Sequence, residues 1–250
     1  MAWVLDLDGV VWLDGVAVAG AANAVARLRS SGNKVLFLTN NSRPTVGEHL
    51  SRLRQIGVPA GDADILTSAH AAASMLEPGS SALVCAGPGV TEALTRRGVR
   101  AVRAGRVDAV IVGLHNDFDY DRLTAACRAV LNGARLIGTN ADPTYPTPTG
   151  PIPGGGALLA AVAYATGADP ELAGKPNKPV AALVAERVGR VEVVVGDRAS
   201  TDGRLARVLG AQFALVLSGV TGPDDLPVEP APDIVGENLA SVVAGYLAGA

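Results

Sequence analysis

The stretch VLDLDGVVW, residues 4–12, places Asp6 and Asp8 one residue apart at the end of an apolar run. Short apolar runs of this kind are typical of strands buried on both faces of a parallel sheet. In an open parallel sheet, ligands bind at the carboxyl ends of the strands. Two carboxylates at such an end repel each other unless a cation lies between them, and Mg²⁺ prefers carboxylate oxygens. The stretch therefore predicts a strand that ends at a metal site.

An aspartate pair alone does not identify a function. Acidic pairs often cap loops, and a similar pair holds a metal in sugar-nucleotide glycosyltransferases. In those enzymes the pair usually lies mid-chain, after a nucleotide-binding domain, whereas here it begins at residue 6. The interpretation of the pair depends on the polar residues that follow other strands.

The composition is typical of a folded domain and argues against several partners. The chain has 250 residues, of which 48% are apolar and 18% charged, and its net charge is −3. It has no long basic run, so we expect no nucleic-acid partner. No apolar stretch approaches the about 20 residues that span a bilayer, and the first residues do not resemble a signal peptide, so we expect no membrane partner and a cytoplasmic location. Cys85 and Cys127 lie in apolar patterns that predict small buried side chains rather than a disulfide.

Short apolar runs alternate with helical patterns along the chain. Amphipathic helical patterns include 46–53, 123–131 and 239–247. This alternation predicts an α/β fold with a doubly wound parallel sheet. The predicted strands are residues 4–7, 35–38, 82–85, 109–112, 136–137, 191–195 and 214–217.

Polar side chains follow three of the predicted strands. Asp6 and Asp8 stand at the end of the first, Thr39 and Asn40 follow the second, and Asp197 follows the run VEVVVG. Because parallel strands end at one edge of the sheet, we expect these side chains to share one rim. A divalent cation there would offset the repulsion between the carboxylates.

Four motifs occur in a fixed order along the chain: DLDGVVW, FLTNNS, AGKPNKP and VVGDRASTDG. Together they resemble the haloacid dehalogenase (HAD) superfamily, whose motifs run Asp-x-Asp, Ser/Thr, Lys and an acidic pair. The match is closest to the NagD-like group, subclass IIA, of HAD phosphatases. TNNS, GDRxxTD and the segment TNADPTYPTPTGPIPGGGALLAAV are typical of that group. The resemblance covers nearly the whole chain.

The resemblance implies a Rossmann-like HAD core with an inserted α/β C2-type cap domain. The core would comprise residues 1–68 and 173–250, and the cap would comprise residues 69–172. In the family such a cap lies over the core site, where we expect it to set substrate specificity and exclude water. The segment 139–156 holds five prolines and four glycines, which predicts a long loop with neither helix nor central strand.

The resemblance also implies roles for the acidic residues. Asp6 would be the nucleophile that forms an aspartyl-phosphate. Asp8 would act as general acid and then general base, and its backbone carbonyl would bind Mg²⁺. Asp197 would complete the protein's metal ligands, and Asp202 would orient metal-bound water. The sequence STD also suits a plain helix N-cap at Asp202, and both roles can hold together.

Five residues would contact the phosphate by the same resemblance. Thr39 would donate its hydroxyl, with the Asn40 amide beside it. Lys175 would place a cation on the phosphate and stabilise the charged transition state. Gly9 would let its backbone amide approach the phosphate closely, and Arg198 would contact the substrate or form an ion pair.

The implied activity is Mg²⁺-dependent hydrolysis of a small phosphorylated metabolite. Two alternatives stay open. A receiver-like signalling module also groups acidic residues, a Thr and a Lys around Mg²⁺ at strand ends, but it lacks the second aspartate and is about half as long. A phosphomutase shares the core motifs. The sequence leaves the oligomeric state open, and a homodimer is one possibility.

Two positions depart from the group's pattern. His115 stands where aspartate is common. Gly203 stands where isoleucine is frequent, and glycine there would loosen the start of the next helix.

Overall fold

The alternating pattern folds as predicted in the computed structural model, which describes residues 1–13, 15–145, 147 and 149–249. All seven predicted strands are present, and the first begins two residues earlier than predicted. The strands are β1 (Ala2–Leu5), β2 (Trp12–Leu13), β3 (Val16–Ala17), β4 (Lys34–Thr39), β5 (Ile65–Thr67), β6 (Ser81–Cys85), β7 (Arg100–Val102), β8 (Ala109–Val112), β9 (Arg135–Gly138), β10 (Thr144–Tyr145), β11 (Ile152–Pro153), β12 (Glu171–Leu172), β13 (Val191–Gly196), β14 (Gln212–Val216) and β15 (Ile234–Gly236). The helices are α1 (Ala21–Ser30), α2 (Val46–Gln55), α3 (Ser68–Ser74), α4 (Pro88–Arg97), α5 (Tyr120–Leu131), α6 (Gly155–Thr166), α7 (Lys178–Val188), α8 (Arg204–Leu209) and α9 (Leu239–Ala248).

The chain divides into two compact units. The first comprises Met1–Thr39, Glu48–Leu66 and Ala181–Ala250. Its six-stranded sheet has the order β15-β14-β13-β1-β4-β5. β1 pairs in parallel with both β4 and β13, and all four of its residues are buried. The chain leaves β1 toward β4 on one side and later adds β13, β14 and β15 on the other, so the strand order reverses beside β1. Ligands bind at such reversals in doubly wound sheets.

The second unit comprises Asn40–Gly47 and Thr67–Val180. It has its own sheet of order β12-β9-β8-β6-β7, in which every neighbouring pair is parallel. Gly89, at the start of α4, lies so close to this unit's first segment that a Cβ there would be 2.2 Å from the Pro44 carbonyl oxygen. The start of α4 therefore packs directly against residues 40–47. The assignment of 69–172 as a cap stays a prediction.

The segment 139–156 is more regular than predicted. β10 and β11 form a two-stranded antiparallel ribbon, and α6 begins at Gly155, inside the stretch that was predicted to be free of helix. Glycines permit this start, because a Cβ at Gly156 would lie 2.4 Å from the Ala141 carbonyl oxygen. Pro146 and Pro148 lie outside the described residues.

Two predictions from composition are tested by side-chain burial and helix length. Cys85 and Cys127 are free thiols, the first buried and the second only partly so. Burial raises the pKa of the Cys85 thiol to about 11. Every helix among the described residues is too short or too polar to cross a membrane. The cytoplasmic location stays a prediction.

Asp233, directly before the edge strand β15, links this strand to β14 through side-chain hydrogen bonds. Its Oδ2 accepts the Phe213 N–H at 2.7 Å and an Arg207 guanidinium N–H at 2.8 Å. The Phe213 N–H, followed by the Arg207 contacts, lowers the pKa of the Asp233 carboxyl. A carboxyl with a depressed folded-state pKa stabilises the fold fully above its unfolded pKa of about 3.9, and that stabilisation is lost as the pH falls further.

We therefore expect Asp233→Asn to lower the melting temperature at about pH 7. The difference from wild type should shrink as the pH falls through about 4 toward 3, because the Asp233 carboxyl takes up a proton first in the unfolded wild-type chain and, at lower pH, in the folded one. Thermal melts across this range measure the effect. Asp224→Asn, at an exposed position of the same unit, is the control. If the melting temperatures of wild type and Asp233→Asn differed by the same amount at about pH 7 and at about pH 3, the stabilising role of the Asp233 carboxylate would be contradicted.

Candidate active site

Three carboxylates converge at the carboxyl end of the first unit's sheet. Asp6 follows β1 directly, and its N–H donates to the Val195 carbonyl of β13 at 2.9 Å. Asp197 follows β13, and Asp202 lies five residues further on. One carboxylate oxygen from each of the three lies within 4.8 Å of the other two. The reversal of strand order beside β1 thus brings together residues that are almost 200 positions apart in the chain.

Asp197 is held by the loop that follows β14. Its side chain is buried (3% exposed), and its Oδ2 accepts the Val220 N–H at 2.7 Å. The Thr221 hydroxyl donates to the Asp197 backbone carbonyl. Gly219 and Gly9 make room for this carboxylate, because a Cβ on either would lie 2.1 Å and 2.4 Å, respectively, from Asp197 Oδ2.

Asp202 lies in a single π-helical turn, Ala199–Gly203, that precedes α8. Its Oδ2 accepts the Arg198 N–H and the Thr201 hydroxyl, both at 3.3 Å, and its side chain is fully buried (0% exposed). The N-cap prediction for Asp202 is wrong, since α8 is capped at Gly203 without a side-chain hydrogen bond. Gly196 is required here, because its Cβ would lie 2.1 Å from Asp202 Cγ. π turns of this kind are frequent at functional sites.

Gly203 does not loosen this helix start. A Cβ at Gly203 would lie 2.8 Å from the Phe213 ring. A larger residue would force the π-helical turn away from β14, so glycine permits close packing at the point where the group often has isoleucine. The predicted effect at Gly203 is therefore wrong.

Asp8 is positioned by a tight turn after β1. The Leu7 carbonyl accepts the N–H groups of Val11 and Trp12 at 2.9 and 3.1 Å, and Gly9 adopts φ +81°. Asp8 Oδ1 accepts the Trp12 indole N–H at 3.1 Å. The hydroxyl of Thr39, which ends β4, lies 3.5 Å from Asp8 Oδ2. The structure thus places Thr39 beside the aspartate pair, as the shared-rim prediction requires.

Asn40 and Lys175 lie in the second unit, where they contact each other. The Asn40 Oδ1 accepts the Lys175 N–H at 2.8 Å, and the Asn40 amide donates to the Lys175 carbonyl at 3.3 Å and to Asp142 Oδ2 at 3.2 Å. Lys175 is buried (4% exposed). The Asn40 amide therefore holds the backbone of Lys175. The phosphate contacts predicted for Asn40, Lys175 and Arg198 stay predictions.

His115 is a buried residue of the second unit (5% exposed). Its Nδ1 lies 2.8 Å from the Gly113 carbonyl oxygen, its Nε2 lies 3.9 Å from Cys85 Sγ, and its ring meets that of Phe118 edge-on. These contacts give His115 a packing role within this unit.

Sequence reasoning missed the loop SGVTG after β14. Ser218 donates its hydroxyl to the Gly9 carbonyl at 2.6 Å, so this loop supports the turn of the aspartate pair as well as Asp197. Its signal was present: small and polar residues follow a buried strand at the same carboxyl edge. It also missed Trp12, whose indole N–H donates to Asp8.

The carboxylate cluster fits a magnesium ion. Oxygens bound to one Mg²⁺ lie about 2.0–2.1 Å from it, so two opposite ligands are about 4 Å apart. The separations here, up to 4.8 Å, require only small side-chain rotations. Asp6 and Asp197 would bind the ion directly, together with the Asp8 carbonyl, and Asp202 would hold a water ligand.

The chain matches two family models and curated relatives along most of its length. Residues 3–100 match the model described as haloacid dehalogenase-like hydrolase, and residues 172–242 match an HAD-hydrolase-like model. The D-glycerol 3-phosphate phosphatase of Mycobacterium tuberculosis is 35% identical over 96% of this chain and 70% of its own length. The chain belongs to the haloacid dehalogenase-like hydrolases.

Other relatives of this HAD hydrolase are also phosphatases. The acid sugar phosphatase of Staphylococcus aureus is 32% identical over 92% of both chains. The M. tuberculosis glycerol phosphate phosphatase, solved in complex with magnesium, superposes with a TM-score of 0.89 at 34% identity and covers 96% of this chain and 75% of its own. The HAD hydrolase described here is accordingly an HAD-type phosphatase with magnesium as its cofactor.

Proposed function

We propose that this HAD phosphatase hydrolyses a small phosphorylated metabolite, with Asp6 as the nucleophile. The observation that carries the proposal is the convergence of Asp6, Asp197 and Asp202 within 4.8 Å, with Asp8 two residues beyond Asp6. Three clustered carboxylates suit a divalent cation, and a fourth beside them is available for proton transfer.

The proposed reaction has two steps. In the first, an Asp6 oxygen attacks phosphorus, the bond to the ester oxygen breaks, and Asp8 donates a proton to the leaving alcohol. In the second, Asp8 takes a proton from water, whose oxygen attacks phosphorus and breaks the bond to Asp6. Inorganic phosphate and the original carboxylate result. When bound, Mg²⁺ would neutralise the charge of the carboxylates and the phosphate.

Asp8 separates this proposal from a receiver-like module. A receiver keeps its phosphoryl group because it lacks a general base two residues after the phosphorylated aspartate. Here Asp8 lies on the same turn, with hydrogen-bond partners on both of its oxygens. This arrangement favours turnover over a long-lived phosphoprotein.

The test is multiple turnover of p-nitrophenyl phosphate with added Mg²⁺. We expect many equivalents of phosphate per chain, loss of activity with a chelator, and recovery when Mg²⁺ is restored. A single equivalent retained on the protein would support the receiver. Transfer of phosphate to a sugar hydroxyl instead of water would support the phosphomutase.

The substrate class is proposed from the relatives. Their names point to glycerol phosphate and acid sugar phosphates. We propose that the natural substrate is a phosphorylated polyol or sugar similar in size to these compounds. A panel of phosphorylated metabolites ranked by kcat/KM tests this, and a nucleotide or aryl phosphate preferred by more than about tenfold would overturn it.

A further inference from the structure

Trp12 donates a hydrogen bond to one carboxylate oxygen of Asp8. The Trp12 side chain lies four residues after Asp8 and is fully buried (0% exposed). Its indole N–H donates to Asp8 Oδ1 at 3.1 Å, and its backbone carbonyl accepts the Gly9 N–H at 2.7 Å. A buried indole N–H usually finds an acceptor. Here the acceptor is a carboxylate to which the proposed mechanism gives the proton transfer.

Two side chains of α2 hold the Trp12 ring in place. The His49 ring lies 6.3 Å away, centroid to centroid, and is nearly parallel to it at 8°. The Arg52 guanidinium carbon lies 5.5 Å from the Trp12 ring centroid, within the range of a cation–π contact. Rotation of the indole would break both contacts as well as the hydrogen bond to Asp8.

We propose that Trp12 is a positioning residue for the proton transfer by Asp8. With Oδ1 held by the indole N–H, Oδ2, on the side of Thr39, carries the proton that goes to the leaving oxygen. This inference rests on the proposed function, in which Asp8 is the general acid. Trp12 thus influences the reaction by orienting Asp8, in addition to packing in the core.

The proposal predicts an effect that depends on the leaving group. A basic leaving group needs the proton in the transition state, whereas p-nitrophenolate leaves readily without one. Phenyl phosphate and p-nitrophenyl phosphate have nearly the same shape and differ mainly in the basicity of the alcohol released. Loss of the indole N–H should therefore slow the phenyl ester more than the p-nitrophenyl ester.

The experiment measures kcat and KM of Trp12→Phe for both esters with Mg²⁺. We expect kcat/KM for phenyl phosphate, which reports the steps up to the aspartyl-phosphate, to fall about tenfold, against the about 10²–10⁴ that a general acid supplies. For p-nitrophenyl phosphate kcat/KM should fall less than about threefold. The second step starts from the same aspartyl-phosphate for both esters and does not enter this comparison. Equal losses for the two esters would overturn the proposal.

Trp3→Phe is the matched control. Trp3 is equally buried (0% exposed), but its Nε1 has no hydrogen-bond partner among the described residues. Its ring meets Tyr246 edge-on at 4.8 Å. This variant measures the cost of shrinking a buried indole in the same unit, and its ratio of kcat/KM values for the two esters should equal that of wild type. A ratio that shifts as much as in Trp12→Phe would also overturn the proposal.

A second variant covers failure of Trp12→Phe to fold. Arg52→Met, at a half-buried helix position, removes the guanidinium from the ring and keeps an unbranched side chain of good helix propensity. It should shift the ratio of kcat/KM values for the two esters in the same direction by about twofold, and an unchanged ratio would count against the proposal. If wild type hydrolyses neither ester, the proposed function fails, an outcome distinct from failure of this inference.

Discussion

Asp6→Asn should lower kcat for p-nitrophenyl phosphate by at least about 10³-fold, the scale of a lost nucleophile. The neutral amide cannot attack phosphorus as a carboxylate does. Local structure should survive, because the remaining side-chain oxygen can still accept the Leu7 N–H that Asp6 Oδ1 accepts at 2.8 Å. Steady-state kinetics with Mg²⁺ measure the loss.

Thermal stability separates this chemical loss from misfolding. Replacing one of three clustered carboxylates removes repulsion, so without metal the melting temperature of Asp6→Asn should equal or exceed that of wild type. The stabilisation that Mg²⁺ gives should shrink, because a ligand is weakened. Asp225→Asn is the control, since Asp225 Oδ2 also accepts a backbone N–H, from Gly222 at 2.8 Å, in the same unit. Retention of a tenth or more of the wild-type kcat in Asp6→Asn would show that another group is the nucleophile.

Gly9→Ala should destabilise the protein and reduce its activity together. Gly9 adopts φ +81°, which costs an L-residue about 1–2 kcal/mol. Its Cβ would also lie 2.4 Å from Asp197 Oδ2 and 2.9 Å from Gly219 Cα, and overpacking of this kind costs about 1–3 kcal/mol more. Because the carboxylate of Asp197 must move, kcat should fall by about 10²-fold.

Gly32→Ala isolates the backbone contribution. Gly32 adopts φ +82°, but its Cβ would meet no atom within 4 Å among the described residues. We expect a melting temperature lower by a few degrees and an unchanged kcat. The difference between the two variants in thermal melts and kinetics then reports the close contacts of Gly9 with Asp197 and Gly219. Equal melting temperatures and equal kcat would mean that the close approach of Gly9 to Asp197 has no energetic consequence.

Much of the fold was predictable because it depends on local pattern. The seven predicted strands are near-continuous apolar runs, and the three helical patterns lie in α2, α5 and α9. The strands that were missed are short or lie at edges, such as β7 and β15, where an apolar run is not needed on both faces. The start of α6 at Gly155 was missed because glycine is a poor helix former in general. At the next position, Gly156, glycine is required because the Ala141 carbonyl approaches it closely.

The candidate site was predictable in its charged residues and not in their supports. Asp6 and Asp197 stand directly after β1 and β13, and Asp8 lies two residues beyond Asp6, so the rule that strand ends share an edge was enough to group them. Gly196 carries no such signal, and the small residues around Gly219 indicate a loop at the same edge but not a contact with Asp197. The role of each glycine appears only when a Cβ is placed against Asp202 or Asp197.

The sequence by itself determined the fold class, the family and the carboxylates of the site, because strand periodicity and motif order are properties of the linear chain. Only the tertiary structure decided how those carboxylates are held. The loop of Ser218 and Gly219 contacts a segment far away in the sequence, whereas the π-helical turn around Asp202 and the indole N–H of Trp12 on Asp8 are local contacts that strand and helix periodicity does not indicate. Such contacts depend on distances of a few ångströms, which become fixed only when the strands are placed side by side.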